Sequence, residues 1–322
     1  MVLGFVGFNV DVEPNGGAQD SWAQDLELMH HYTAHTYASF AVIDEVEHVF
    51  CEGIPSLAFG YPYLLYSILA ISAFHIAYKH PNCRERYMFR GSYHQSQLIP
   101  GIRQALGEEI KSEANHVLVM ASGFLMASML ASHRDCGDLP ENPSRLEAML
   151  GIISHLRGMA AVSGMLCCQP PQPLYDGFEA DDDAPAPVQS ITERLRWLES
   201  EGLTQMNLEP GEEAIVKGAA SSLIWSMSHV QGRKILLSPK LRIIFLWPIK
   251  MSNEFIILLR SRHPAALLAF LYYSLVMKCG ASYCWFLQGW GLMLAEESEH
   301  FLSHEPWLGF SRWPRERIKR SA

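Results

Sequence analysis

Two runs of the sequence, YPYLLYSILAISAFHIAY at 61–78 and PAALLAFLYYSLVM at 264–277, are apolar nearly all the way round. Each begins on or beside a proline, a residue that suits the first turn of a helix and breaks its interior. A helix that is apolar on every side must be surrounded, either by lipid or by other helices. A bilayer span needs about 20 mostly apolar residues, and these runs are short or carry His75 inside them. Burial in a protein core is the expectation, with no membrane span. The stretch 243–259 is weakened as a span in the same way, by Pro248 and Lys250.

The remainder of the chain offers the surrounding helices. Ser21-Trp-Ala-Gln24 has the spacing of a capping box and precedes Leu26, Met29, Thr33, Tyr37 and Phe40 at three- and four-residue steps. Asp44–Phe50 repeats the habit before Ile54-Pro55 breaks it. From 82 to about 130 the pattern stays helical, with Leu98, Ile102, Leu106 and Ile110 on its apolar side. Pro100-Gly101 should kink or split that run. Ser144-Arg-Leu-Glu147 again has capping-box spacing and opens a helix to Met159.

Helices are further predicted over 190–200, 211–230, 250–260, 263–279 and 282–303, while alternating strand patterns are scarce. The fold class is therefore all-α: an irregular N-terminus over 1–20, then one helical domain over 21–322. Its interruption is the segment 169–189, where PPQP and EADDDAPAPV read as an exposed variable loop. No repeat of constant period points to a solenoid, and no heptad run is long enough for a coiled coil.

Composition narrows the function. With 49% hydrophobic residues and 18% charged, the 322-residue chain has material for a core. Its net charge of -9 repels nucleic acid, so DNA contact would need a local basic patch. The C-terminal Arg312, Arg315, Arg317, Lys319 and Arg320 are the candidate, set against an ordinary solvated helix end. Seven scattered cysteines, at 51, 83, 136, 167, 168, 279 and 284, form no C-x-x-C pair. They argue against a disulfide framework and a structural zinc site, and for free thiols in a reducing compartment.

Catalytic motifs fail one by one. Glu27, His31 and His35 share a helical face, but the signature with two histidines bracketing a glutamate is missing, and packed or solvated histidines are the plainer reading. His133-Arg134-Asp135 imitates a kinase catalytic loop, yet Pro140 occupies the position of the magnesium-binding asparagine. Asp181-Asp182-Asp183 precedes Ala-Pro-Ala-Pro in a segment expected to be extended, a poor platform for a metal. No nucleophile elbow, dinucleotide fingerprint or P-loop is present. No metal ligands, catalytic residues or cofactors are assigned.

What remains is aromatic. Phe59, Tyr61, Tyr63 and Tyr66 accompany one apolar helix; Phe270, Tyr272, Tyr273, Trp285, Phe286 and Trp290 accompany the other. Such rings either fill a core or wall a pocket for a small lipophilic ligand. The stretch YCWFLQGWG at 283–291 poses the choice most sharply, with two tryptophans beside two glycines.

The order of the pieces resembles the C-terminal regulatory domain of fungal zinc-cluster transcription factors, in the branch of the sterol uptake control proteins. The early pieces are DLELMHHYTAHTY at 25–37, IPSLAFGYPYLLYSILAISAFHIAY at 54–78, and the Tyr93-His94 helix leading to SEANHVLVMASGFLMASML. The late ones are HPAALLAFLYYSLVM, WFLQGWG and the closing WLGFSRWPRERI. The resemblance implies an all-helical ligand-binding-domain-like bundle with a hydrophobic pocket that holds ergosterol in the sterol-responsive members. Ligand loss there lets the protein act in the nucleus.

Carried to this sequence, the family's Trp-Gly segment falls on Trp285, Phe286, Gly289, Trp290, Gly291 and Met293. Tyr273, Phe59 and Tyr63 complete the expected ligand-binding set. Two departures stand out: the first cysteine is Cys51, so the six-cysteine zinc cluster that binds DNA in the family is missing, and Pro100-Gly101 interrupts a helix the family runs through. The expectation is a non-enzymatic transcription regulator in nucleus or cytoplasm, acting through a lipophilic ligand and protein partners or a homodimer. Direct DNA binding and a zinc cofactor are not expected. The alternative is a helical pocket recruited for secondary metabolism, where rings stabilise cations during cyclisation of an apolar intermediate. On the regulator reading, an aspartate at Gly289 or Gly291 should disturb ligand response more than folding.

Overall fold

The computed structural model describes residues 18–40, 47–107, 112–134, 143–162, 186–228, 239–281, 284–304 and 306–319. Ile110, Asp135, Cys136, Cys167, Cys168, Asp181-Asp182-Asp183, Arg320 and most of the expected loop at 169–189 lie outside them. Among the described residues there are thirteen α-helices and no strand, as the all-α expectation requires. They divide into two compact units. One takes the described residues up to 144 with 154–162; the other takes 145–153 and the described residues from 186 on.

In the first unit, α1 (Ala18–His31) runs on through a π-helical turn, Tyr32–Thr36, and a 3-10 turn, Tyr37–Ser39. Then come α2 (Ile54–Ala58), α3 (Pro62–Lys79), α4 (Arg84–Gly107) and α5 (Ser112–Arg134). The apolar run α3 is the centre, with Leu64, Ile68, Leu69, Ile71 and Phe74 buried. Glycines bring α4 against it: a Cβ at Gly91 would stand 2.7 Å from the Phe74 ring, and one at Gly101 would stand 2.9 Å from Tyr63 Cβ. Ten residues of helix separate those two points, roughly 15 Å of close approach.

Two expectations need correcting here. Pro100 does not split α4, because Leu98 and Ile102 on either side are buried and outweigh one lost backbone hydrogen bond. The inner face of α1 is Leu28, Tyr32, Thr36 and Phe40, whereas Leu26 is 58% exposed. The helix already begins at Ala18, so Ser21 lies within it and is no cap. On α4, Leu106 points to solvent instead of joining Leu98 and Ile102.

The helix α6 (Arg145–Val162) contributes its opening to the second unit and its remainder to the first. The second unit continues with α7 (Ala186–Trp197), α8 (Pro210–Ser228), α9 (Pro239–Lys250), α10 (Asn253–Arg260), α11 (Pro264–Ala281), α12 (Trp290–Phe301) and α13 (Trp307–Lys319). Every residue of α11 from Ala265 to Met277 is buried. Around it, the Trp247 indole donates to the Ala219 carbonyl at 2.9 Å and its ring meets Tyr273, Phe255 and Phe270. Glu297 on α12 accepts from the Leu146 amide at 2.8 Å and from Arg262 at 2.9 Å. One carboxylate thus satisfies a helix N-terminus and holds Arg262, whose φ is 57°.

Two described helices, Asn115–Arg134 and Pro264–Ala281, are long and apolar enough to cross a membrane. With 72% and 78% of them buried by protein, they read as core helices of their units.

Candidate ligand groove in the second unit

The Trp-Gly segment is broken before α12 and does not form one helix with it. Trp285–Leu287 form a 3-10 turn, Gln288 is extended, and Gly289 takes a φ of 85°, so α12 begins only at Trp290. The helix predicted over 282–303 therefore fails at its start, because the chain reverses through a left-handed residue that glycine adopts without penalty. Trp285 and Phe286 meet edge to face at 5.6 Å, and Trp290 is fully buried. Burial pushes the Cys284 thiol up to about 12, which leaves it unreactive.

Gly291 has a packing reason of its own. A Cβ there would stand 2.5 Å from the Ser274 carbonyl oxygen and 3.0 Å from Lys278 Cβ, so α12 lies directly on the backbone of α11. The Lys278 ammonium then donates to the carbonyls of Arg317 and Ile318 at 3.0 and 2.7 Å, closing the C-terminal end of α13. Tyr273 is buried, with its hydroxyl donating to the Ile244 carbonyl at 2.7 Å. Met293 is half-buried. The structure thus gathers Trp285, Phe286, Trp290, Gly291 and Tyr273 around α11 as tightly packed residues. Phe59 and Tyr63 belong to the first unit, where Phe59 is 76% exposed and Tyr63 lies under Gly101.

An opening lies elsewhere in the second unit, outside the sequence-predicted set. A solvent-open groove of about 340 Å³ is walled by Trp197 of α7, Tyr272 of α11, and Phe310 and Trp313 of α13, with Arg194 at its side. Trp197 meets Phe310 at 5.7 Å, and Tyr272 stacks near Trp313 at 6.1 Å. Two guanidiniums lie over Trp313, Arg194 at 5.5 Å and Arg317 at 5.2 Å from the ring centre. Burial pushes the Tyr272 phenol up to about 12, against the pull of Arg194, so that wall is neutral.

Part of this was visible in the sequence. Tyr272 and the closing WLGFSRWPRERI stood out, but Arg194 and Trp197 had no aromatic pattern to mark them, and only folding brings them to α13. The same helix explains the basic run: Arg315 and Lys319 both engage Glu299, and Arg312 pairs with Glu316 at 3.8 Å. Those three cations have carboxylate partners on α12 and α13, Arg312 and Lys319 from exposed positions.

Residues 27–158 match the family model described as fungal specific transcription factor domain. Over that stretch the chain is similar to fungal transcription factors. It is also 27% identical over 140 residues to sterol uptake control protein 2 of Saccharomyces cerevisiae (strain ATCC 204508 / S288c). That alignment covers 43% of this chain and 15% of the yeast protein, so the chain spans only a small part of its relative's length. The resemblance inferred from the order of motifs is met. The groove, with Arg194 as its first residue, lies beyond the matched domain.

Inside the matched stretch 27–158, the histidines pair in a way their spacing conceals. His75 Nδ1 on α3 lies 3.3 Å from His31 Nε2 and 3.0 Å from Thr36 Oγ1, and the His35 ring lies 5.1 Å from that of His31. Burial, then the neighbouring histidines and Lys79, lower His31 to about 4 and His75 to about 3, so both are neutral near pH 7. Glu27, expected on the same face, instead accepts from the Tyr87 hydroxyl at 2.7 Å. Nearby, Asp25 takes Arg90 and lies 3.1 Å from Nε2 of the fully buried His94. These are ties between α1, α3 and α4.

Proposed function

We propose that this chain is a regulatory module of a fungal transcription regulator, controlling gene expression through a small lipophilic ligand and through protein partners or a second copy of itself. The observation that carries the reading is the match of residues 27–158 to the fungal transcription factor domain. The yeast relative is named for sterol uptake control, and a sterol or another lipid is the ligand class proposed here. Its place of action is proposed to be the nucleus or cytoplasm. No zinc cluster is ascribed to these residues, whose first cysteine is Cys51.

The groove beside Trp313 is where the ligand is proposed to dock, since it offers indole and phenyl faces to solvent. The packed set of Trp285, Phe286, Gly289, Trp290, Gly291, Met293 and Tyr273 is the proposed element that responds. A ligand shifts such packing only by its difference in affinity between two arrangements.

The test is a reporter strain of yeast in which the whole sequence is fused to an unrelated DNA-binding domain. Reporter output should change several-fold when sterol synthesis is blocked and return when sterol is supplied. Constant output under both conditions, with no lipid retained by the purified chain in native mass spectrometry, would overturn the reading.

A further inference from the structure

We propose that the groove at Trp313 takes a small organic acid with a flat apolar body, its carboxylate held by Arg194. This rests on reading the groove as a ligand site and narrows what that site prefers. The rings of Trp197, Tyr272, Phe310 and Trp313 supply the flat apolar walls. The charge comes from Arg194, which lines the groove with its guanidinium 5.5 Å from the centre of the Trp313 ring, while Arg317, 5.2 Å from the same ring, is outside the lining. Both side chains are exposed, and among the described residues neither joins an ion pair with a carboxylate. Glu316, one residue from Arg317, is turned to Arg312 instead.

That arrangement runs against the balance of the chain, which has 34 acidic residues to 25 basic ones. A guanidinium held near a ring without a carboxylate partner has N–H edges to offer, and those edges match the two oxygens of a carboxylate. A neutral ligand would use the walls and leave Arg194 to water; a cationic one would be repelled. Ligand pockets run from about 300 to 1,000 Å³, and the groove's about 340 Å³ stands at the small end of that range.

The experiment uses the full chain, with 2-naphthoate and its uncharged counterpart 2-naphthalenemethanol as probes, followed by calorimetry and tryptophan fluorescence. Naphthoate should bind at least about tenfold more tightly than the alcohol and weaken as salt is raised. Arg194→Gln should remove most of that preference with the melting temperature unchanged, Arg317→Gln should leave most of it in place, and Trp313→Leu should weaken both probes. Equal binding of acid and alcohol, or indifference to Arg194→Gln, overturns the preference for an acid and leaves the groove a neutral site. Failure of both probes to bind overturns the groove as a ligand site altogether.

Discussion

The backbone of Gly291 lies against the carbonyl oxygen of Ser274 so closely that a Cβ would sit 2.5 Å from it. No rotamer relieves that clash, because both partners are main chain or Cβ. Gly291→Ala should therefore lower stability by roughly 2–4 kcal/mol, in the range of an overpacked core, measured by urea denaturation. Gly218, exposed within α8 with nothing in the way of a Cβ, is the control. Gly218→Ala should raise stability by about 0.5–1 kcal/mol through helix propensity alone. For Gly291 folding therefore takes the first blow, so the expectation that its aspartate variant spares folding passes to the more exposed Gly289. Even there a φ of 85° adds about 1–2 kcal/mol of strain.

Lys278 links three helices through one side chain, with its stem beside Gly291 and its ammonium on the last carbonyls of α13. Lys278→Met keeps the stem and removes the donor. The two bonds are charge-assisted but partly exposed, so the loss should be about 1–2 kcal/mol. The check is amide hydrogen exchange, in which protection should fall first across 307–319. Unchanged protection there would mean that the cap contributes nothing.

The sequence spoke clearly where chemistry is local. The two apolar runs had to be core helices, and α3 and α11 occupy the centres of their units. It misled where a single backbone event changes register: the π-helical turn at Tyr32–Thr36 and the left-handed Gly289 both shift which residues face inward. It was silent where distant segments meet. Arg194 and Trp313 are separated by more than a hundred residues, and His31 and His75 by 44, so neither pairing leaves a periodic trace. Trp290 and Tyr273, expected as pocket walls, are fully buried, and the half-buried rings that wall the open groove, Trp197, Phe310 and Trp313, lie on α7 and α13.

Asp25 serves two partners at once, the Arg90 guanidinium and the buried His94 ring. Asp25→Asn removes the charge and keeps the shape. Arg90 is mostly buried and would lose its counter-charge, which costs about 2–3 kcal/mol for a pair of this kind. Arg90→Met alongside Asp25→Asn should recover much of the loss, since no buried cation is then left unpaired. A double variant no more stable than Asp25→Asn alone would contradict this account.

The histidine pair contributes to the acid response of the first unit, beside His94 and His155, which burial also lowers. His31 and His75 ionise near 6.5 in an unfolded chain and at about 4 and about 3 when folded. Between those values the unfolded chain binds more protons than the folded one, so stability rises with pH in that interval. Their contribution is complete above about pH 6.5 and is lost as pH falls toward the folded values. Discounting for the exposure of His31, the two together should account for roughly 2 kcal/mol lost between pH 7 and pH 5. Thermal unfolding across that range measures it. His75→Gln keeps a polar partner for Thr36 yet takes up no proton, so it should flatten the acid slope even if it lowers stability at pH 7. An unaltered slope in His75→Gln would assign the acid sensitivity to other groups.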